Sequence, residues 1–379
     1  MGRRRRRRRE RAGEGKLEMG TELMVLIFLT CLQLIRGVSG ELFDVPALFV
    51  FGDSLVDDGN NNYIPSIARA NYPPYGIDFG YPTGRFCNGL TVVDYGALAL
   101  GVPLVPPCLS LKSKGASILR GVNYASAAGG ILDETGKNYV ARVSFNQQLA
   151  LFEKAIEFEY SLLFQEPQAL SRYLARSIFA LVFGSNDYIN NYLMPKLYLS
   201  SSLYDPDSYA ELLVQAYAQQ MRKLYSLGAR KIIVANIGPL GCIPSQLAMA
   251  DTDGSCVERI NRAVSAFNER LFELVKNINS TLPGSFFVYQ DVYGIFSDIA
   301  ANPQKYGFTV ANKACCGVGR YGGALTCLPF EKPCEDRDHH VFWDAFHPTQ
   351  AVNKIIFESC YAPASTYCYP MGFQSLATI

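Results

Sequence analysis

Asp344 and His347 stand three residues apart in Trp343-Asp344-Ala345-Phe346-His347-Pro348, and Ser54 follows the apolar run Ala47-Leu48-Phe49-Val50-Phe51-Gly52-Asp53. A serine hydroxyl is a poor nucleophile until a base takes its proton. An imidazole serves best as that base when a carboxylate holds its tautomer. The chain has three histidines, His339, His340 and His347, so few side chains can fill the role. His347 precedes a proline, which biases it out of helical backbone and into a turn. Each piece alone has a plainer reading, Ser54 as a helix N-cap and Asp344 with His347 as a surface turn. The Gly-x-Ser-x-Gly elbow of α/β-hydrolases is absent, since Val56 stands where its second glycine would be.

Two further segments offer what such a nucleophile needs. Gly184-Ser185-Asn186-Asp187 reads as a turn after a buried strand. An asparagine amide beside the serine would donate to a developing oxyanion, an interaction worth about 2.7–4 kcal/mol in the transition state. Asn123-Tyr124-Ala125-Ser126-Ala127-Ala128-Gly129-Gly130 reads as a loop whose glycines would let a backbone N–H approach the same oxygen.

Strands must deliver these residues to one place. Leu48 to Phe51, Ser177 to Phe183, Lys231 to Asn236 and Ser285 to Asp291 are short apolar runs bounded by turn residues, as buried strands are. Ser208-Tyr209-Ala210-Glu211 reads as a capping box opening a helix that Gly228 ends. A helical pattern spans Cys256 to about Asn279, and Thr349 to Ser359 is expected to be the final helix. The alternation implies a parallel sheet covered by helices on both faces, with Ser54 and Asn186 at its carboxyl edge, where such sheets bind ligands. No internal repeat or Pro/Ser linker divides residues 41–379, which read as one domain.

With 49% hydrophobic and 12% aromatic residues in 379, the chain can bury a large core. Residues 1–40 carry ten Lys/Arg against four Glu, a net of +6. The whole chain is +1, so the remainder carries about −5, which argues against nucleic acid as its partner. Residues 1–40 read as a secretory signal region: a long basic stretch, the apolar run Leu23 to Leu32, then Val38-Ser39-Gly40 as a cleavage point. That run is too short to span a bilayer, and no later segment has 18 unbroken apolar residues, so no stable membrane insertion is expected after its removal. Beyond Cys31 lie ten cysteines, an even number that suggests disulfides in an exported chain. Cys242 and Cys256 flank a polar loop and read as a local bridge. Cys315, Cys316, Cys327 and Cys334 lack the Cys-x₂₋₄-Cys spacing of zinc sites and read as disulfides rather than metal ligands. Asn279-Ser280-Thr281 is the only glycosylation sequon, so Asn279 is the expected glycan site.

Taken together the segments resemble the plant-type GDSL esterase/lipase family of the SGNH hydrolase superfamily. Its four blocks are matched by Phe49-Val50-Phe51-Gly52-Asp53-Ser54-Leu55 with Asp57, Gly59, Asn60 and Asn61, then Gly121-Val122-Asn123-Tyr124-Ala125-Ser126, Gly184-Ser185-Asn186-Asp187, and Asp344-x-x-His347-Pro348. Pro82-Thr83-Gly84-Arg85-Phe86, Gly238-Pro239-Leu240-Gly241-Cys242 and Cys315-Cys316-Gly317 are also similar to stretches of the family, so the resemblance covers roughly residues 45–360. It implies an α/β fold, a flavodoxin-like three-layer α/β/α sandwich around a mostly parallel sheet. It implies Ser54 as nucleophile, His347 as base and Asp344 as orienter. The oxyanion hole would combine the Ser54 N–H, a glycine N–H and the Asn186 side chain. Ala127 and Ala128 stand where members often carry more glycines, and Gly130 is favoured over Gly129 as the donor.

Both lines of reasoning lead to a secreted serine esterase or lipase that works through an acyl-enzyme without metal or cofactor, placed in the apoplast or cell wall if the source is a plant. Acyl lipids, acetylated polysaccharides and phenolic esters are all candidate substrates. The same triad would also serve an acyltransferase, with an alcohol replacing water. Formation of new esters from a donor ester and candidate alcohols separates the two. A non-catalytic extracellular binding protein is the third reading, separated by whether a fluorophosphonate labels Ser54.

Overall fold

Leu-Phe-Val-Phe-Gly carries no polar side chain and forms β1 (Leu48–Gly52), buried at every position. The computed structural model describes residues 43–110, 114–250 and 252–379, and the expected signal region at 1–40 lies outside them. Three more runs form β2 (Ile178–Val182), β3 (Lys231–Ala235) and β4 (Phe286–Gln290), each within a residue or two of the sequence expectation. β1, β2, β3 and β4 pair in parallel in that order, Leu48 opposite Ile178, Ile178 opposite Lys231 and Lys231 opposite Phe286. A short β7 (Cys368–Tyr369) closes the far edge antiparallel to β4.

The segment 122–126 runs along the other side of β1. Val50 N–H donates to Val122 O, Tyr124 N–H to Val50 O and Ser126 N–H to Gly52 O. The chain therefore leaves β1 outward and returns inward to β2. Strand order reverses between β1 and β2, which is where open α/β sheets leave a crevice for ligands. Ser54 and Asn186 follow the two strands that flank this point.

Side chains alternate between the faces of the sheet. Phe49 and Phe51 meet Phe152, with ring centroids 5.3 and 5.6 Å apart, on α2 (Phe145–Ala155). α3 (Pro206–Ser226) and α4 (Glu258–Thr281) complete that layer. Fully burying rings of this size is worth about 1.5–3 kcal/mol each. On the opposite face α1 (Val92–Leu100), α6 (Gln350–Tyr361) and a short helix Phe373–Thr378 pack near Leu48. The three-layer α/β/α arrangement is thus present within Asp44–Ile379, one compact unit. α5 (Val292–Ala301) lies between β4 and the smaller parallel pair β5 (Val310–Ala314) and β6 (His340–Phe342).

Three local expectations change. α3 starts earlier than the Ser208 capping box, because Pro206 takes the first helical position and Asp205 accepts the Ser208 N–H at 2.8 Å. Thr349 is the N-cap of α6 as expected, but Phe373–Thr378 follows it as the last helix. Eight of the ten cysteines pair, Cys242–Cys256, Cys315–Cys334, Cys316–Cys327 and Cys360–Cys368, while Cys87 and Cys108 remain thiols. Burial pushes the Cys87 thiol up to about 12 and raises Cys108 as well, which disfavours the thiolate at both. Among the described residues no helix is long and apolar enough to cross a membrane.

Candidate active site

Ser54 sits on the turn that ends β1. Gln148 of α2 clamps the strand end, its Oε1 accepting the Gly52 N–H at 3.0 Å and its Nε2 donating to Gly52 O at 2.8 Å. Asp53 extends the ladder by donating its N–H to Val182 O, and its Oδ1 accepts the Leu55 N–H at 3.0 Å. The chain then turns and Ser54 Oγ lies 2.7 Å from His347 Nε2.

His347 stands on a turn closed by its own backbone, with Trp343 N–H donating to His347 O at 2.8 Å. Asp344 is fully buried. Its Oδ1 accepts the N–H groups of Phe346 and His347 at 2.8 Å each, and its two oxygens lie 2.8 and 2.9 Å from His347 Nδ1. The carboxylate thereby assigns the Nδ1 proton, leaving Nε2 as acceptor for the Ser54 hydroxyl. Burial alone would push the Asp344 carboxyl up, but the His347 ring, the Tyr75 hydroxyl and the turn N–H hold it below the ordinary aspartate range.

Two residues that sequence reasoning missed complete this hold. The buried Tyr75 hydroxyl donates to Asp344 Oδ2 at 2.6 Å, and Thr326 donates to the same oxygen at 3.2 Å. Tyr75 is legible in the sequence only as part of a proline-rich turn. Thr326 is marked by nothing but its neighbour Cys327, which the disulfide to Cys316 draws under Trp343.

Asn186 follows β2. Gly184 takes φ +112° there, and a Cβ on it would lie 2.7 Å from Ile237 Cδ1, so the turn demands glycine. Asn186 Nδ2 donates to Gly129 O at 3.0 Å and its Oδ1 accepts from Asn190 at 2.6 Å, which leaves one amide hydrogen free. Asp187 holds the facing loop by accepting from the Ile131 and Leu132 N–H groups and the Thr135 hydroxyl. Asp57 does the same with the N–H groups of Gly59, Asn60 and Ala127. Burial pushes both carboxyls up to about 6. Asn60 and Asn61 pin the carbonyls of Asn123, Ala125 and Ala127. The first block thus serves as scaffold for the second.

Gly130 is absent from the residues that line the cavities at Ser54. Its carbonyl accepts the Phe145 N–H, and a Cβ there would lie 2.7 Å from Asp187 Oδ1. Ala128, at φ +64°, lines the cavity with Ser54, Asn186 and His347 instead. The N–H groups of Ser54 and Ala128 have no acceptor among the described residues.

Two cavities meet at Ser54 and share Asn186, Ile189, Phe346 and His347. One, about 910 Å³ including its open mouth, lies across the carboxyl ends of β1 to β4 and is walled chiefly by aliphatic side chains and Phe296, Phe342 and Phe346. The other, about 600 Å³, opens toward Arg69, Tyr72, Tyr139, Asn190 and Thr326.

Residues 48–360 match the family model for the GDSL-like lipase/acylhydrolase. GDSL esterase/lipase 7 of Arabidopsis thaliana is 57% identical over 361 residues, covering 94% of this chain and 99% of the relative. A second Arabidopsis thaliana GDSL esterase/lipase is 48% identical over 370 residues, covering 92% of this chain and 95% of its own length. Among solved structures, phospholipase A1 from Streptomyces albidoflavus NA297 aligns at 12% identity and a TM-score of 0.33, covering 83% of this chain and 96% of that one, too distant to carry an argument. With its matched region spanning nearly the whole folded unit, this chain belongs to the GDSL-like lipase/acylhydrolase family of the SGNH superfamily and is a hydrolase of ester bonds.

Proposed function

We propose that the chain hydrolyses carboxylic esters through Ser54, His347 and Asp344. The observation that carries this reading is the unbroken line of short contacts, 2.7 Å from Ser54 Oγ to His347 Nε2 and 2.8 Å from His347 Nδ1 to Asp344 Oδ1. Ser54 Oγ attacks the ester carbonyl carbon as its proton passes to Nε2, and the buried carboxylate balances the imidazolium that forms. Negative charge gathers on the former carbonyl oxygen. The Ser54 N–H, the Ala128 N–H and the free Asn186 amide hydrogen are its proposed donors, with Ala128 taking the part expected of Gly130. Collapse expels the alcohol with the proton from Nε2 and leaves an acyl-enzyme. Water then attacks, gives its proton to Nε2, and releases the acid and the Ser54 hydroxyl.

Secretion belongs to the same reading. Four disulfides suit an oxidising compartment. Asn279, the proposed glycan site, is half-buried on α4 and donates one amide N–H to Phe287 O at 2.8 Å, leaving its second for a glycan.

Ser54→Ala and His347→Ala are each expected to lower kcat by about 10³-fold or more with an unchanged circular dichroism spectrum, and Asp344→Asn by less. A fluorophosphonate should label the parent chain and not Ser54→Ala. Retention of most of the activity by Ser54→Ala would refute the assignment.

A further inference from the structure

The proposed oxyanion donor Asn186 is itself held by a line of side chains that the triad does not use. Asn190 Nδ2 donates to Asn186 Oδ1 at 2.6 Å, and the Tyr139 hydroxyl donates to Asn190 Oδ1 at 3.3 Å. Asn190 and Tyr139 both line the smaller cavity at Ser54. Other buried asparagines of this chain, such as Asn60 and Asn268, spend their amide N–H groups on main-chain carbonyls. Asn190 spends its donor on the oxygen of another side chain at the site.

The direction of every bond in this line is fixed from one end. Gly129 O can only accept, so Asn186 must turn its amide nitrogen to it, at 3.0 Å, and its oxygen to Asn190. Asn190 must then present its nitrogen to Asn186 and its oxygen to Tyr139, which donates. The last torsion of a side-chain amide has only a broad, two-fold preference of its own. Flipped, Asn186 would aim a lone pair rather than an N–H at the oxyanion. A bond received at Oδ1 also draws electron density from the amide nitrogen, which makes its remaining N–H a stronger donor.

The backbone departs from regular geometry at both of these residues. Asn190 lies in a π-helical turn (Tyr188–Tyr192) and takes φ −117° and ψ 22°, outside helical values, while its carbonyl accepts the Gly136 N–H at 3.3 Å. Such turns gather at functional sites. Next to Tyr139, Val140 takes φ 72° and ψ −68°, and the Ala141 N–H donates to Tyr139 O at 2.9 Å. That is a γ-turn of the strained kind, held by a β-branched residue. We propose that Asn190, backed by Tyr139, is a positioning residue that fixes the Asn186 amide with its free N–H toward the oxyanion. The proposal rests on the hydrolase reading above and adds to it two residues that act through Asn186 and not on the reacting atoms.

Steady-state hydrolysis of para-nitrophenyl butyrate by single and double variants tests it. Asn190→Asp keeps the size of the side chain and the acceptor for Tyr139 but loses the donor to Asn186. It should lower kcat by about tenfold or more with KM within about twofold, and Tyr139→Phe should act in the same way more weakly, by about threefold. Asn186→Ala should lower kcat by about 10²–10³-fold. In the Asn186→Ala background the other two substitutions should each change kcat by less than about twofold, because they act only through the missing amide. Losses that persist undiminished in that background overturn the proposal, and so does a parental kcat in Asn190→Asp or a loss that appears in KM instead. If Asn190→Asp does not fold, the Tyr139→Phe cycle decides by the same criteria. Asn186→Ala at parental kcat, with Ser54→Ala inactive, would remove Asn186 from the oxyanion hole and the positioning role with it while leaving the triad. Turnover by Ser54→Ala would sink the hydrolase reading as a whole.

Discussion

Asp53 lies between the sheet and the proposed nucleophile, with one carboxyl oxygen unpartnered among the described residues. Its Oδ1 holds the Leu55 N–H, and burial pushes the group up to about 7. A raised folded-state value means that the folded chain holds the proton more tightly than the unfolded one. The resulting stability is complete below the ordinary value of 3.8 and is lost as pH rises through about 7. Asp57 and Asp187, near 6, act in the same sense. Asp344 acts in the opposite one, its contribution present above 3.8 and lost as pH falls below that. Thermal stability should therefore peak in mildly acidic solution and decline from about pH 5 to about pH 8. Asp53→Asn keeps an oxygen for Leu55 and removes the titration, so it should reduce that decline, an effect of a few kcal/mol at most. Calorimetric melting of both proteins across that range checks it. Parallel curves would mean that Asp53 contributes no titration in the fold.

At the scale of elements, the proposed nucleophile is held by a strand and the carboxylate of Asp344 by a stapled loop. β1 ends where Gln148 takes both the N–H and the C=O of Gly52, so the direction of the chain at Ser54 depends on α2 as much as on the sheet. The turn from Trp343 to His347 has a different anchor. Cys316 N–H donates to Trp343 O, and the Cys316–Cys327 bridge sets Thr326 beside Tyr75, whose hydroxyls both meet Asp344 Oδ2. Replacing both cysteines by serine should cost about 2–4 kcal/mol of stability. It should also lower kcat by roughly tenfold with little change in KM, because a loosened carboxylate orients the imidazole less well without touching substrate. Steady-state kinetics on the folded variant decide this. A lower melting temperature with unaltered kcat would reduce the bridge to a stability device.

Across the molecule, two of the cores among the described residues differ in kind. The main one joins the sheet to its helices, while a smaller one gathers Tyr75, Phe86, Trp343, Cys315, Cys316 and Cys327 around the carboxylate of the proposed triad. Small cores of this sort are marginal without covalent staples. Trp343 is the sole tryptophan of the chain and is fully buried in the smaller core, so its fluorescence reports that region alone. With disulfides intact, the fluorescence and far-ultraviolet circular dichroism transitions should coincide on heating. After reduction the fluorescence change should come first. Coincidence under both conditions would show that the smaller core draws its stability from the main one and not from its bridges.

The amino-acid sequence alone determined what depends on near neighbours. Short apolar runs bounded by turn residues suit strands buried in a parallel sheet, so the four long strands were legible to within a residue or two. Ser54 and Asn186 stood out because turn residues after such strands emerge at one edge, and Asp344 with His347 because a carboxylate stands three residues from one of only three histidines. Only the tertiary structure decided the contacts between distant residues: the 2.7 Å approach across 293 residues of chain, and the Tyr75 bond across 269. It also set Ala128 rather than Gly130 on the wall of the cavity at Ser54, which no side-chain pattern could foretell. It paired eight cysteines and left two as thiols, and it gave the α3 cap to Asp205. The physical reason is common to all of these. Periodicity and turn chemistry act over a few residues, whereas the meeting of remote side chains is set by how the whole sheet and its layers pack.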